Sequence, residues 1–154
     1  MLIEATLGVA LAAALVVFLA PDEWAGKLAA VLSLLPLGGS LLMWANFTAA
    51  GNGLLADGQL AFETAVPWIR IDQYTLQWFV GVDGVSLPLV VLTTILTTLA
   101  IVSAWTPIDE RQSQFYGLML FMEAALLGVF TALDFFLWFV FWEAVLIPMY
   151  FLIG

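Results

Sequence analysis

Two glutamates carry the chemistry this chain could perform. Glu143 stands near the middle of FFLWFVFWEAVLIPMYFLIG, residues 135–154, and is the only charged residue in that run. At ~1.5 Å rise per residue such a run spans the ~30 Å hydrocarbon core of a bilayer, so the acid sits near the midplane. An ionisable group there costs at least ~2.5–3.5 kcal/mol on insertion scales, and a carboxylate kept at that cost is a candidate for holding and passing a proton or another ion. The bland alternative is a protonated glutamate hydrogen-bonded to a neighbouring helix as packing glue. Glu123, in the preceding apolar run, is a candidate second proton carrier; for it the two readings stand level.

Depth can be counted along the chain. A tight turn at residues 131–134 would make the last two runs an antiparallel hairpin. Glu123 then lies 10 residues before Leu133 and Glu143 lies 9 after Asp134, which puts both acids about 13–15 Å deep. The spacing leaves open whether they face each other; a facing pair would titrate as one unit. Pro148, five residues after Glu143, cannot donate to the Ala144 carbonyl, so the helix can bend one turn beyond the acid. A carbonyl freed beside a buried acid is a natural place for water. Trp138 and Trp142 flank the same turn and are read as packing groups.

The elements that hold these acids are membrane helices. The chain is 64% hydrophobic and 10% charged, with a mean hydropathy of +1.11, more than a soluble domain of this size can cover with polar surface. Five apolar runs, at 2–20, 28–47, 85–105, 115–133 and 135–154, approach the ~20 residues a membrane helix needs. The expected fold is therefore all-α, a polytopic transmembrane bundle over residues 1–154 with about five helices. The first run carries Glu4 and no basic residue ahead of its apolar core, so it reads as a retained helix and not a signal peptide. One helix across the last two runs would be about 60 Å long, twice the bilayer core, so a turn must divide them, with Asp134 as N-cap of the fifth helix.

A single sizeable polar segment, residues 49–84, separates the second and third runs. It opens on the turn signals Gly51-Asn52-Gly53 and Asp57-Gly58 and continues with Phe62, Val66, Trp68, Tyr74, Trp78 and Phe79 among polar residues. A small β-hairpin on the membrane surface is expected there. Ser86 is the expected N-cap of the third helix, with Pro88 tolerated in its first turn. Trp24, Trp44, Trp68, Trp78 and Trp105 fall near helix ends or in loops, where amphipathic rings prefer the headgroup layer. Lys27 and Arg111 lie in short connections while the long one offers only Arg70. That bias places the short loops in the cytoplasm, and the N-terminus and loop 49–84 outside.

Composition also bounds the partners and cofactors. Twelve acids against three cations give a formal charge of -9, which argues against nucleic acid and suits a solvated acidic surface. Cysteine and histidine are both absent, so thiolate chemistry and cysteine-ligated clusters are excluded, and the usual transition-metal sites lose their commonest ligand. No cofactor is expected in this chain; a redox centre must be held by another one.

The same residues carry a resemblance. GVDGVSLPLVVLTT, residues 81–94, and FYGLMLFMEAALLGVFTALDFFLWFVFWEAVLIPMYFLIG, residues 115–154, resemble the amino-terminal third of the M subunit of proton-translocating NADH:quinone oxidoreductase, respiratory complex I, whose mitochondrial counterpart is chain 4. The resemblance extends over essentially all 154 residues, and the FWE to PMYFLIG segment is its most specific part. It implies a cation/proton antiporter-like subunit of about fourteen helices with two inverted five-helix repeats. Glu143 matches that family's essential fifth-helix acid, held there to pair with a lysine on the seventh helix and pass protons toward a central row of lysines. Those lysines have no counterpart here, which implies a fragment or split polypeptide whose partners are the rest of its own subunit, other membrane subunits and lipid. Subunits of sodium/proton antiporters, membrane-bound hydrogenases and F420-dependent reductases share the pattern. The competing class is a structural or assembly protein whose acids are inert.

Overall fold

A computed structural model describes residues 1–49, 60–71, 74–105 and 110–153. Along the chain run α1 (Leu2–Phe18), α2 (Asp22–Ala49), β1 (Ala61–Ile71), β2 (Tyr74–Val82), α3 (Ser86–Ser103), α4 (Gln112–Thr131) and α5 (Phe135–Ile153). Five helices and a two-stranded hairpin are what the sequence leads one to expect. Four of the helices, α2 to α5, are long and apolar enough to cross a membrane, and α1 is a shorter apolar helix of 17 residues. Successive helices run antiparallel, so Met1, the hairpin and the α4–α5 turn gather at one end of the bundle. The α1–α2 and α3–α4 connections lie at the opposite end.

Helix α2 begins at Asp22, six residues before the apolar run does. Its polar first turn is closed by Pro21, whose carbonyl accepts from the amides of Trp24 (3.0 Å) and Ala25 (3.1 Å). Asp22 and Glu23 stand where the helix dipole is positive. Apolarity alone cannot register a turn held by those two effects. At the start of α3 the cap is Asp83 and not Ser86. Asp83 Oδ1 accepts from the amides of Ser86 (2.6 Å) and Val85 (3.0 Å), while Ser86, already helical, accepts from the Asp83 amide at 3.0 Å. The two form a reciprocal capping box. The Ser86 amide holds the Asp83 carboxyl below its ordinary range, so this contribution is present at neutral pH and is lost as pH falls through the carboxylate range. Asp134 caps α5 as expected, accepting from Phe136 (2.9 Å) and Leu137 (3.1 Å). Helix α4 is capped from another helix, the Ser113 amide donating to Asp22 Oδ1 at 2.8 Å.

The hairpin does more than rest at an interface. Its strands pair antiparallel with register shifts between Ala61 and Thr64 and between Pro67 and Ile69, the second where proline lacks a ladder donor. Val80 then bridges to Ala132, and the Leu133 amide donates to the Phe79 carbonyl at 2.8 Å. The hairpin is thus bonded to the α4–α5 turn. Trp78 and Trp44 pack against the apolar cluster at this end, and Trp78 meets Phe141 of α5 edge to face at 6.0 Å. Packing, not headgroup contact, accounts for these two tryptophans, whereas Trp24, Trp68 and Trp105 are exposed. The turn signals at 51–53 and 57–58, with Asp57, Asp72 and Asp109, lie outside the described residues.

Two apolar clusters fill the bundle. Ile3, Met43, Phe47, Leu87, Val90 and Leu127 belong to the one at the hairpin end, and Val17, Ala25, Ile101, Tyr116 and Leu120 to the one at the opposite end. Helix α4 contributes to both and is the most enclosed span, half of its apolar window being buried against 11% for α5. The approach of α4 and α5 needs glycine at 128, where a Cβ would run into the Phe141 ring, itself backed by Trp78.

Candidate functional site

Helix α4 carries Glu123 at the seam between the two apolar clusters. Leu120, one turn before it, belongs to one cluster, and Ala124 and Leu127 belong to the other. Its side chain is fully enclosed, with 0% exposure, and neither carboxylate oxygen has a hydrogen-bond partner. A buried carboxyl with both oxygens unmatched is among the costliest arrangements a fold can hold, and the cost is highest where no water is at hand. No lysine or arginine among the described residues pairs with it.

Glu143 has the opposite setting. It lies eight residues after Phe135, as Glu123 lies eight before Thr131, so both are about 12 Å from the hairpin end of their helices. The shared depth expected from the sequence holds, but the acids do not face each other. Leu137 and Pro148 are the buried residues of α5, and Glu143 is about 120–140° round the helix from each. Its side chain is exposed on the outer surface of the bundle. Trp142, beside it, is 50% exposed and lies 5.2 Å from Trp138, centroid to centroid. The outward face of α5 is therefore an acid flanked by aromatic rings, uncovered in this chain.

Pro148 is buried against the bundle. Glu143 itself is exposed on α5, so the acid beside the Ala144 carbonyl that Pro148 cannot bond is not a buried one in this chain. A second proline frees a carbonyl elsewhere. Pro36 lies inside α2, buried, and leaves the Leu32 carbonyl without its usual helix donor.

Buried hydroxyls complete the polar interior. Ser40 of α2 and Thr94 of α3 share a hydrogen bond at 2.8 Å, both with 0% exposure. One turn farther along α3, the Thr98 hydroxyl oxygen is buried with no partner. Sequence reading passed over all of these. The available signal was the pair of threonine doublets, Thr93-Thr94 and Thr97-Thr98, together with a proline in the middle of an apolar run.

No family model matches the chain. Among curated proteins, subunit M of the F(420)H(2) dehydrogenase of Methanosarcina mazei is 37% identical over 122 residues, which is 79% of this chain and 23% of that protein. NAD(P)H-quinone oxidoreductase chain 4 1 of Picosynechococcus sp. is 38% identical over 144 residues, 94% of this chain and 26% of its own length. Chain 4-2 of Synechocystis sp. is 40% identical over 114 residues, 74% of this chain and 19% of its own. This chain thus spans at most about a quarter of the length of these curated relatives. By these matches the chain belongs to the family formed by subunit M of F(420)H(2) dehydrogenase and chain 4 of the NAD(P)H-quinone oxidoreductases.

Proposed function

We propose that this chain is part of a proton-translocating, antiporter-like membrane subunit of M type, which couples electron transfer on other chains of its complex to proton movement. The observation that carries the reading is Glu143, an uncovered acid near mid-bilayer depth on a helix with little of its surface buried. Left against hydrocarbon it is expensive, so that face is built to receive another helix with a basic or hydrogen-bonding side chain. The resemblance to the M subunits implies a lysine from the remainder of the subunit. Glu143 is then the principal proton-translocating carboxylate, Glu123 a second carrier, and Pro148 a local weakening of the α5 backbone. No resident cofactor is assigned to the chain.

The electron donor is NAD(P)H or reduced F420, since relatives named for both are matched at similar identity. Purifying the tagged full-length subunit from native membranes is expected to bring down further membrane subunits and quinone reductase activity with one of those donors. Recovery free of any redox subunit would favour the scaffold class.

The protein is a multi-pass membrane protein, and we place its N-terminus and hairpin outside. Support comes from Lys27 and Arg111, which both lie toward the end away from the hairpin. The chain has no cysteine, so single thiols report cleanly. Glu63→Cys on β1 should react with an impermeant reagent in intact cells, and Glu110→Cys only after permeabilisation. The reverse pattern would invert the topology.

A further inference from the structure

Two side chains with unmatched polar atoms, Glu123 and Thr98, and the Leu32 carbonyl to which Pro36 cannot donate lie in one layer of the bundle. The Ser40–Thr94 hydrogen bond fixes the level of α2 against α3. Because the helices are antiparallel, four residues toward the opposite end lead to Pro36 on one and Thr98 on the other. Residues four apart share a helix face, so Thr98 and Pro36 look the same way as the bonded pair. The level of α3 against α4 follows from the Tyr116 hydroxyl, which donates to the Ala104 carbonyl at 3.0 Å, and from Ile101 and Leu120 in one packed cluster. Three residues toward the hairpin end, one turn on, these two give way to Thr98 and Glu123. Thr98, Glu123 and the Leu32 carbonyl released by Pro36 are therefore at a common depth on three adjoining helices.

We propose that these groups enclose a bound water between α2, α3 and α4, through which Glu123 exchanges its proton. The inference deepens the assignment of Glu123 as a second carrier and rests on it. The physical need is direct. Glu123 is fully buried with two unmatched oxygens, Thr98 has one, and both sit between apolar clusters that offer no protein donor or acceptor. A buried water is held by two to four polar partners, and the carboxyl, the hydroxyl and the freed carbonyl supply three. The Ser40–Thr94 pair extends the site by one turn toward the hairpin end. Each of its hydroxyls reaches the other and also a carbonyl of its own helix, Leu37 at 2.8 Å and Val91 at 2.9 Å. Either can donate to the other, so the pair can reverse its polarity, as a proton relay requires.

The test is infrared difference spectroscopy on the full-length subunit in native membranes, in ordinary and in ¹⁸O-labelled water. An isotope-sensitive O–H stretch from an internal water is expected. It should vanish in Thr98→Val, which keeps the side-chain shape, persist in Thr98→Ser, and shift in Glu123→Gln. A water band unchanged in both Thr98→Val and Glu123→Gln, or no such band at all, would overturn the site, whatever those variants do to translocation. A band that responds as expected while Glu123→Gln translocates normally would leave the hydrated site standing and remove Glu123 from the proton path.

Discussion

Glu143→Gln in the full-length subunit is expected to lower coupled proton translocation on the order of 100-fold, the scale on which a positioned acid–base group acts, while the complex still assembles. The amide keeps nearly the shape of the acid and removes only the titratable proton. The packed side of α5, with Leu137 and Pro148, faces the other way, so the substitution leaves the packing of the bundle intact. Dye-reported proton uptake in inverted vesicles, read beside native-gel assembly and donor-dependent electron transfer, separates the two effects. An assembled variant that translocates normally would end the transport role given to this residue. Because Glu123 and Glu143 lie on different sides of α5's contact with α4, Glu123→Gln should have the smaller effect, and equal losses would mean that the two act as one unit through the rest of the protein.

Glu123→Leu is expected to do something less usual, raising stability while lowering translocation. Replacing a buried ionisable group with an apolar one of similar size is often neutral or stabilising by ~1–4 kcal/mol, and Glu123 is enclosed with neither oxygen matched by the protein. Leu120, Ala124 and Leu127, its neighbours on α4, already belong to the two apolar clusters. Denaturant unfolding in detergent, with Glu123→Gln alongside, gives the comparison. Leucine should exceed wild type, and glutamine should not, because its amide still demands partners. A marked loss of stability in Glu123→Leu would mean that the carboxyl is satisfied in the full protein, by the bound water proposed above or by a partner from outside this chain. Higher stability with lower activity is the signature of a group kept for its function.

How much of this could be read beforehand differs by direction in space. Position along the membrane normal was legible: the five apolar runs, the break at Asp134, the hairpin between the second and third helices, and the equal depth of Glu123 and Glu143 all follow from counting residues at a fixed rise. Asp134 as a cap was legible for the same local reason, since its partners are two and three residues away. The polar first turn of α2 and the Asp83 cap were misplaced by a few residues, because hydropathy sees side chains while those ends are decided by backbone bonds.

What only the tertiary structure decided is azimuth. In a soluble helix, water polarises the two faces and the apolar stripe reveals which side is inward. In a membrane, lipid and protein interior are both apolar, and helix association relies on close packing and hydrogen bonds instead. The α5 run therefore reads much the same on every side, and its sequence could not tell that Glu143 points outward while Glu123 on α4 is sealed inside. Nor could it bring Thr98, Pro36 and Glu123 into one layer, since that depends on how three antiparallel helices slide against one another. The slide is set by contacts such as Ser40 with Thr94 and Tyr116 with Ala104. The sequence determined how deep each acid lies; packing determined what each one meets there.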